Sequence, residues 1–123
     1  MKEQDKQMLL KDLCGRLPYM VKGMLCEDCI CTLDKIWTKK GYELVVFAGD
    51  YYDVDCFKPY LFPLSSMTEE QREEYDALKQ DIEDKFKPWK CANLIDWLNK
   101  HHFDYNELIG MKLALDATDL NIY

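Results

Sequence analysis

Cys26, Cys29 and Cys31 form a C-x-x-C-x-C run. Two thiolates so spaced on a turn can grip one zinc ion, with Cys56 or Cys14 completing a tetrahedral set. The spacing is half of a zinc signature, because no second C-x-x-C and no H-x-x-x-H accompanies it. The competing reading, small apolar side chains on two strands flanking a turn, weighs more. Zinc on Cys26, Cys29, Cys31 and Cys56 therefore stands as an alternative, a zinc-stabilised structural protein. A thioredoxin-type role for the same C-x-x-C needs a helix N-terminus at the first thiol, and strand-like runs flank this motif instead.

Other reactive side chains fall short of a catalytic set. His101 and His102 are neighbours, so on a helix they point about 100° apart and cannot share a metal as an i, i+4 pair would. Asp104 and Cys91 are candidate helpers for a base or a ligand, but His beside the last carbonyls of a helix is the simpler account. Asp50, Asp53 and Asp55 lack the glycine and distal glutamate of a calcium loop. The chain has no Walker loop, G-x-G-x-x-G, G-x-S-x-G or H-E-x-x-H. No catalytic residue and no cofactor beyond the zinc alternative is expected.

The elements that would carry these residues change character along the chain. Gln4 to Leu13 reads as a short helix stopped by Gly15. Strand-like runs follow at Leu17–Leu25, Ile30–Trp37, Tyr42–Ala48 and Val54–Phe57, separated by Glu27-Asp28, Lys39-Lys40-Gly41 and Gly49-Asp50. Such runs predict an antiparallel meander of three or four strands, with a small SH3-like barrel as an open alternative. Pro59 and Pro63 favour an extended junction. Thr68 with Gln71 makes a helix-start box, and Tyr75, Leu78, Ile82 and Phe86 share one face of a helix from Thr68 to Phe86. Pro88 would end that helix, Asn93 cap the next, and Asp104, Glu107 and Gly110 bound a third. Met111 to Leu115 reads as a short strand or a packed tail. The expected fold is α+β: one short helix, the meander, then two or three helices packed on it.

The chain of 123 residues reads as a single domain, 1–123, with a strand half, 1–64, and a helical half, 65–123. Its net charge is −7. Ten acids and nine bases precede Ser65, and thirteen acids and seven bases follow from it, so the second half holds most of the excess. An acidic half repels phosphate backbones and suits a basic protein partner. The start, Met1-Lys2-Glu3-Gln4-Asp5, is too polar for a secretory signal, and no apolar run approaches a membrane span. A cytoplasmic protein with reduced thiols is the expectation.

Three blocks resemble a known family: Leu13-Cys14 with Arg16-Leu17-Pro18-Tyr19; Lys58-Pro59-Tyr60-Leu61 with Pro63 to Glu70; and Ile95 to Tyr105, which contains Trp97-Leu98-Asn99-Lys100-His101-His102-Phe103-Asp104-Tyr105. They are similar to signatures in an uncharacterised small-protein family of gut Bacteroidetes bacteria and their phages and mobile elements. The resemblance implies a short phage- or mobile-element-type protein. It brings no activity, so no functional residue is carried over, and the cysteine cluster is not part of the shared pattern.

The residues themselves favour a non-catalytic accessory or regulatory protein that binds another protein. The contact is expected from Glu69, Glu70, Glu73 and Glu74 on the acidic helix, with Tyr60 and Phe62 part-exposed on the junction. The alternative is a nucleic-acid-binding small barrel, with Lys22, Lys35, Lys39, Lys40 and Trp37 as its patch.

Overall fold

The computed structural model describes residues 1–39, 42–47 and 49–123, with the backbone alone for 42–44, 46 and 47. The expected α+β class is what the chain adopts. Helix α1 (Glu3–Arg16) leads into strands β1 (Lys22–Leu25), β2 (Cys29–Thr32), β3 (Lys35–Lys39), β4 (Tyr42–Phe47), β5 (Asp50–Asp53) and β6 (Phe57–Leu61). Helices α2 (Glu69–Asp84) and α3 (Pro88–Lys100) follow, then a two-residue strand, β7 (Leu115–Asp116).

The strands form two sheets. One has the order β2-β1-β6-β7, the other β3-β4-β5. The run from Ile30 to Trp37 is therefore two strands in different sheets, broken at Leu33-Asp34. Leu33 turns inward and is buried, which anchors the crossing between them. The second sheet is a simple meander. The first is closed by a distant strand: β6 pairs antiparallel with β1, and β7 joins it in parallel through Tyr60↔Leu115 and Leu61↔Asp116. Of the run Val54–Phe57 only Phe57 is strand, as the first residue of β6. A 3-10 turn covers Val54–Cys56, held by the Asp53 carboxylate accepting from Asp55 N at 3.1 Å, and Leu17–Tyr19 forms another. Lys40, Gly41 and Ala48 lie outside the described residues.

Three helix boundaries differ from expectation for packing reasons. Helix α1 runs through Gly15, because a Cβ there would stand 2.8 Å from Asn99 Nδ2 on α3. The glycine permits a close helix crossing rather than a stop. Helix α2 ends at Asp84, and Pro88 opens α3, where its missing N–H is harmless. Asn93 is thus inside α3. Asp104 caps no helix; its carboxylate accepts from Leu108 N at 2.8 Å and Ile109 N at 3.0 Å and fixes an irregular turn.

One apolar core joins both sheets and α1. Leu9 and Leu13 of α1 meet Val21, Leu25, Leu33, Val45, Val54, Phe57 and Leu61, with Leu108, Leu113 and Ala114 from the carboxyl end. Tyr123 pins that end across the first sheet. Its hydroxyl accepts from Lys22 N and donates to Tyr60 O, each at 2.8 Å, at the pair next to Gly23↔Pro59.

Candidate functional site

Helix α2 starts as its sequence dictates. Thr68 Oγ1 accepts from Gln71 N at 3.1 Å, and Gln71 Oε1 accepts from Thr68 N at 2.9 Å. Eight acids against two bases give Glu69–Asp84 a net charge of −6, close to that of the whole chain. No residue of α2 is buried. The expected stripe is there, but only half-buried: Tyr75 packs on Trp97 of α3 at 6.2 Å, beside Leu78 and Ile82. Trp97 Nε1 donates to Glu74 Oε2 at 2.9 Å, and Lys90 Nζ donates to Asp81 Oδ1 at 2.9 Å.

This attachment sorts the acidic residues. Glu69, Glu70 and Glu73 are exposed, whereas Glu74 is committed to Trp97. Sequence pattern puts Phe86 in the packing stripe. It lies beyond the helix end, 70% exposed, with Trp89 60% exposed across the turn. These two aromatics, at the tip of an acidic helical hairpin, are the largest exposed rings near the acidic face. Only the position of Pro88, between helices rather than after one, hints at them.

The junction aromatics fall elsewhere. Tyr60 is 7% exposed, a correction to its expected place on a contact surface. It lies in β6 between β1 and β7, in the interior of the sheet order. Phe62 is half-buried, facing Phe103 at 6.4 Å and Tyr123 at 5.9 Å. It packs the carboxyl-terminal segment more than it offers a surface.

The four cysteines of the zinc alternative gather at one end of the first sheet as two pairs. Cys29 and Cys31, on one face of β2, bring their sulfurs to 3.4 Å. Cys26 faces Cys56 across the β1–β6 ladder, donating its backbone N–H to Cys56 O at 2.6 Å. Burial, then the Cys26 side chain, push the Cys56 thiol up to about 11. Cys26 and Cys29 thus belong to different pairs, so the C-x-x-C does not act as a unit. Cys14 is on α1, exposed. Among the described residues, no three His, Cys, Asp or Glu side chains are arranged to hold a metal ion.

On the second sheet, Trp37 and Tyr51 meet edge to face at 6.2 Å on the outer surface, 42% and 62% exposed. Alternation along β3 puts Lys35 and Lys39 on the same face as Trp37. Lys22 belongs to the other sheet, and Lys40 lies outside the described residues.

A polar network fills the space between α1 and the chain after α3. Arg16 is fully buried and Asp12 nearly so. Arg16 Nε and Nη2 donate to the Asp12 carboxylate, and Nη2 also donates to Phe103 O at 2.7 Å. Asn106 Nδ2 donates to Asp12 Oδ2 at 2.9 Å, and the guanidinium lies 4.9 Å from the Tyr105 ring centre. Apart from Arg16 Nη1, the charged groups here point at structural partners, so the network is a clasp. His101 lies against Trp97 at 4.7 Å, and His102 stacks on Tyr123 at 3.6 Å, so the two rings face different partners.

Burial, followed by the charges of Arg16, His101 and Lys22, holds the His102 imidazole down at about 4. In the unfolded chain it titrates near 6.5. Between these values the unfolded state binds the extra proton. Stability should therefore be level above pH ~6.5, fall as pH drops toward 4, and flatten below. His102 is part-exposed, so solvent screening keeps the loss to about 1–2 kcal/mol. His102 has φ 61°, which Asn tolerates, so His102→Asn should flatten the profile without backbone strain. Urea midpoints measured from pH 7 to 4.5 test this; an unchanged slope in the variant would remove His102 as the cause.

No family model, no curated protein and no solved structure matches this chain. Among the described residues, no helix is long and apolar enough to cross a membrane.

Proposed function

We propose that this chain is a non-catalytic accessory or regulatory protein that binds a basic protein partner through the α2–α3 hairpin. The observation that carries the reading is the pairing of exposed Phe86 and Trp89 with a helix of net charge −6. Exposed aromatics can anchor a contact by filling partner pockets, while the glutamates steer and orient a basic surface. Lys90 with Asp81 and Trp97 with Glu74 tie the two helices together, and Glu69, Glu70 and Glu73 stand exposed beside these contacts. A phage or mobile-element setting is supported by the sequence resemblance alone. The nucleic-acid reading is weaker, because among the described residues of the expected patch only Lys35 and Lys39 share the face of Trp37, and the chain carries −7 overall.

The test is affinity capture from the native cell with mass spectrometry. Glu69, Glu70 and Glu73 are reversed to Lys in one variant, and Phe86 and Trp89 are changed to Ser in another. Glu74 is spared because it accepts from Trp97. Both variants should retain the wild-type circular dichroism spectrum. Each should reduce the captured partner by roughly tenfold or more, as loss of interface anchors does. Undiminished capture by both would refute the hairpin as the contact.

A further inference from the structure

We propose that Cys26 and Cys56 form a redox modification site, a dithiol that closes to a disulfide between the end of β1 and the turn that opens β6. The register carries this. Gly23↔Pro59, Met24↔Lys58 and Leu25↔Phe57 are partners, so the next pair is Cys26 with Cys56. The bond from Cys26 N to Cys56 O, 2.6 Å, extends the ladder to that pair. Directly opposed residues joined by such a bond have Cα atoms about 5.5 Å apart, inside the span a disulfide bridges.

Access and backbone geometry agree. Cys26 is exposed, and Cys56 is partly so. Both line a surface cavity of about 230 Å³ with Met24, Glu27, Asp55 and Lys58. Cys26 and Glu27 both hold left-handed backbone, φ 52° and 60°, so the chain is already bent out of the strand at the reacting thiol. Cys29 and Cys31 sit in contact on the neighbouring strand, but as i, i+2 residues of an extended strand they are a different pair with a different reach.

The oxidant is a low-molecular-weight disulfide. The Cys26 thiolate attacks one of its sulfurs, the small disulfide bond breaks, and one thiol leaves, giving a mixed disulfide on Cys26. Cys56, losing its proton to solvent, then attacks the Cys26 sulfur and releases the second thiol. Two protein thiols are oxidised, one small disulfide is reduced to two thiols, and the balance closes. The product encircles β2 to β5, because every residue of the second sheet lies between Cys26 and Cys56. It thus converts the hydrogen-bonded tie between β1 and β6 into a covalent one.

Reduced wild-type chain is equilibrated with oxidised and reduced glutathione at set ratios, trapped with acid, alkylated under denaturing conditions and mapped by mass spectrometry. The expected result is loss of two of the six free thiols, with one cross-linked peptide joining Cys26 to Cys56. Cys26→Ser should abolish that cross-link, and because Cys26 is exposed the variant is expected to fold. Three outcomes would overturn the proposal: a Cys29–Cys31 linkage instead, stable glutathione adducts with no internal bond, or thiols masked by zinc that co-purifies with the reduced chain. The mapping uses the unaltered protein, so its outcome does not depend on any variant folding.

Discussion

Asp12→Ala is expected to destabilise the protein by about 3–5 kcal/mol, measured by urea unfolding at pH 7. Arg16 has no exposed surface, and its only anionic partner among the described residues is Asp12. Removing the carboxylate leaves a guanidinium in the interior with Phe103 O and the Tyr105 ring, which offer dipoles but no counter-charge. Nη1 already has no hydrogen-bond partner, so the site has no spare acceptor to lend. The loss should spread beyond α1, because Asp12 through Asn106 and Arg16 through Phe103 O both tie that helix to the chain after α3. Asp12→Leu combined with Arg16→Met should recover most of the stability, since a buried pair is often replaceable by apolar groups of similar volume. A loss below about 1 kcal/mol in the single variant would mean that Arg16 reaches water, and the clasp would not be a clasp.

That clasp illustrates what a sequence makes legible. Asp12 and Arg16 stand at i, i+4 on a helix, a spacing visible in the chain, yet nothing local says that both are buried. Their burial depends on Phe103, 87 residues after Arg16, and on Asn106, 94 residues after Asp12. The same reason explains the sheets. Turn chemistry at Glu27-Asp28 and Gly49-Asp50 marks the local hairpins, and Thr68 with Gln71 marks the start of α2, because each is settled within four residues. The pairing of β1 with β6 is settled by the core, so the junction expected to be merely extended is a central strand, and Tyr60 is buried. At the candidate site, the acidic face is legible from composition. Phe86 and Trp89 are not, because their exposure depends on where α2 stops, and that is decided by how α3 begins at Pro88. Cys26 and Cys56 show the complementary case. Their types are conspicuous, but their partnership follows only once β6 is known to lie beside β1.

Gly23→Ala is the second change with a large expected effect. A Cβ at this position would lie 2.4 Å from Phe57 Cζ and 2.5 Å from Lys58 O. The first obstacle is a fully buried ring and the second is backbone of the partner strand, so neither can swing aside. Overpacking of this kind costs about 1–3 kcal/mol, and with two immovable neighbours the upper end is expected by thermal or urea unfolding. Phe57→Leu in the same chain should return only part of the loss, because it clears the ring and leaves the Lys58 carbonyl in place. The two strands must separate for the methyl group to fit, and Cys26 is three residues further on, just past the end of β1. Gly23→Ala should therefore also lower the yield of the Cys26–Cys56 cross-link at a fixed glutathione ratio. If stability falls while the cross-link forms as before, the β1–β6 ladder near Gly23 does not govern how the two thiols meet.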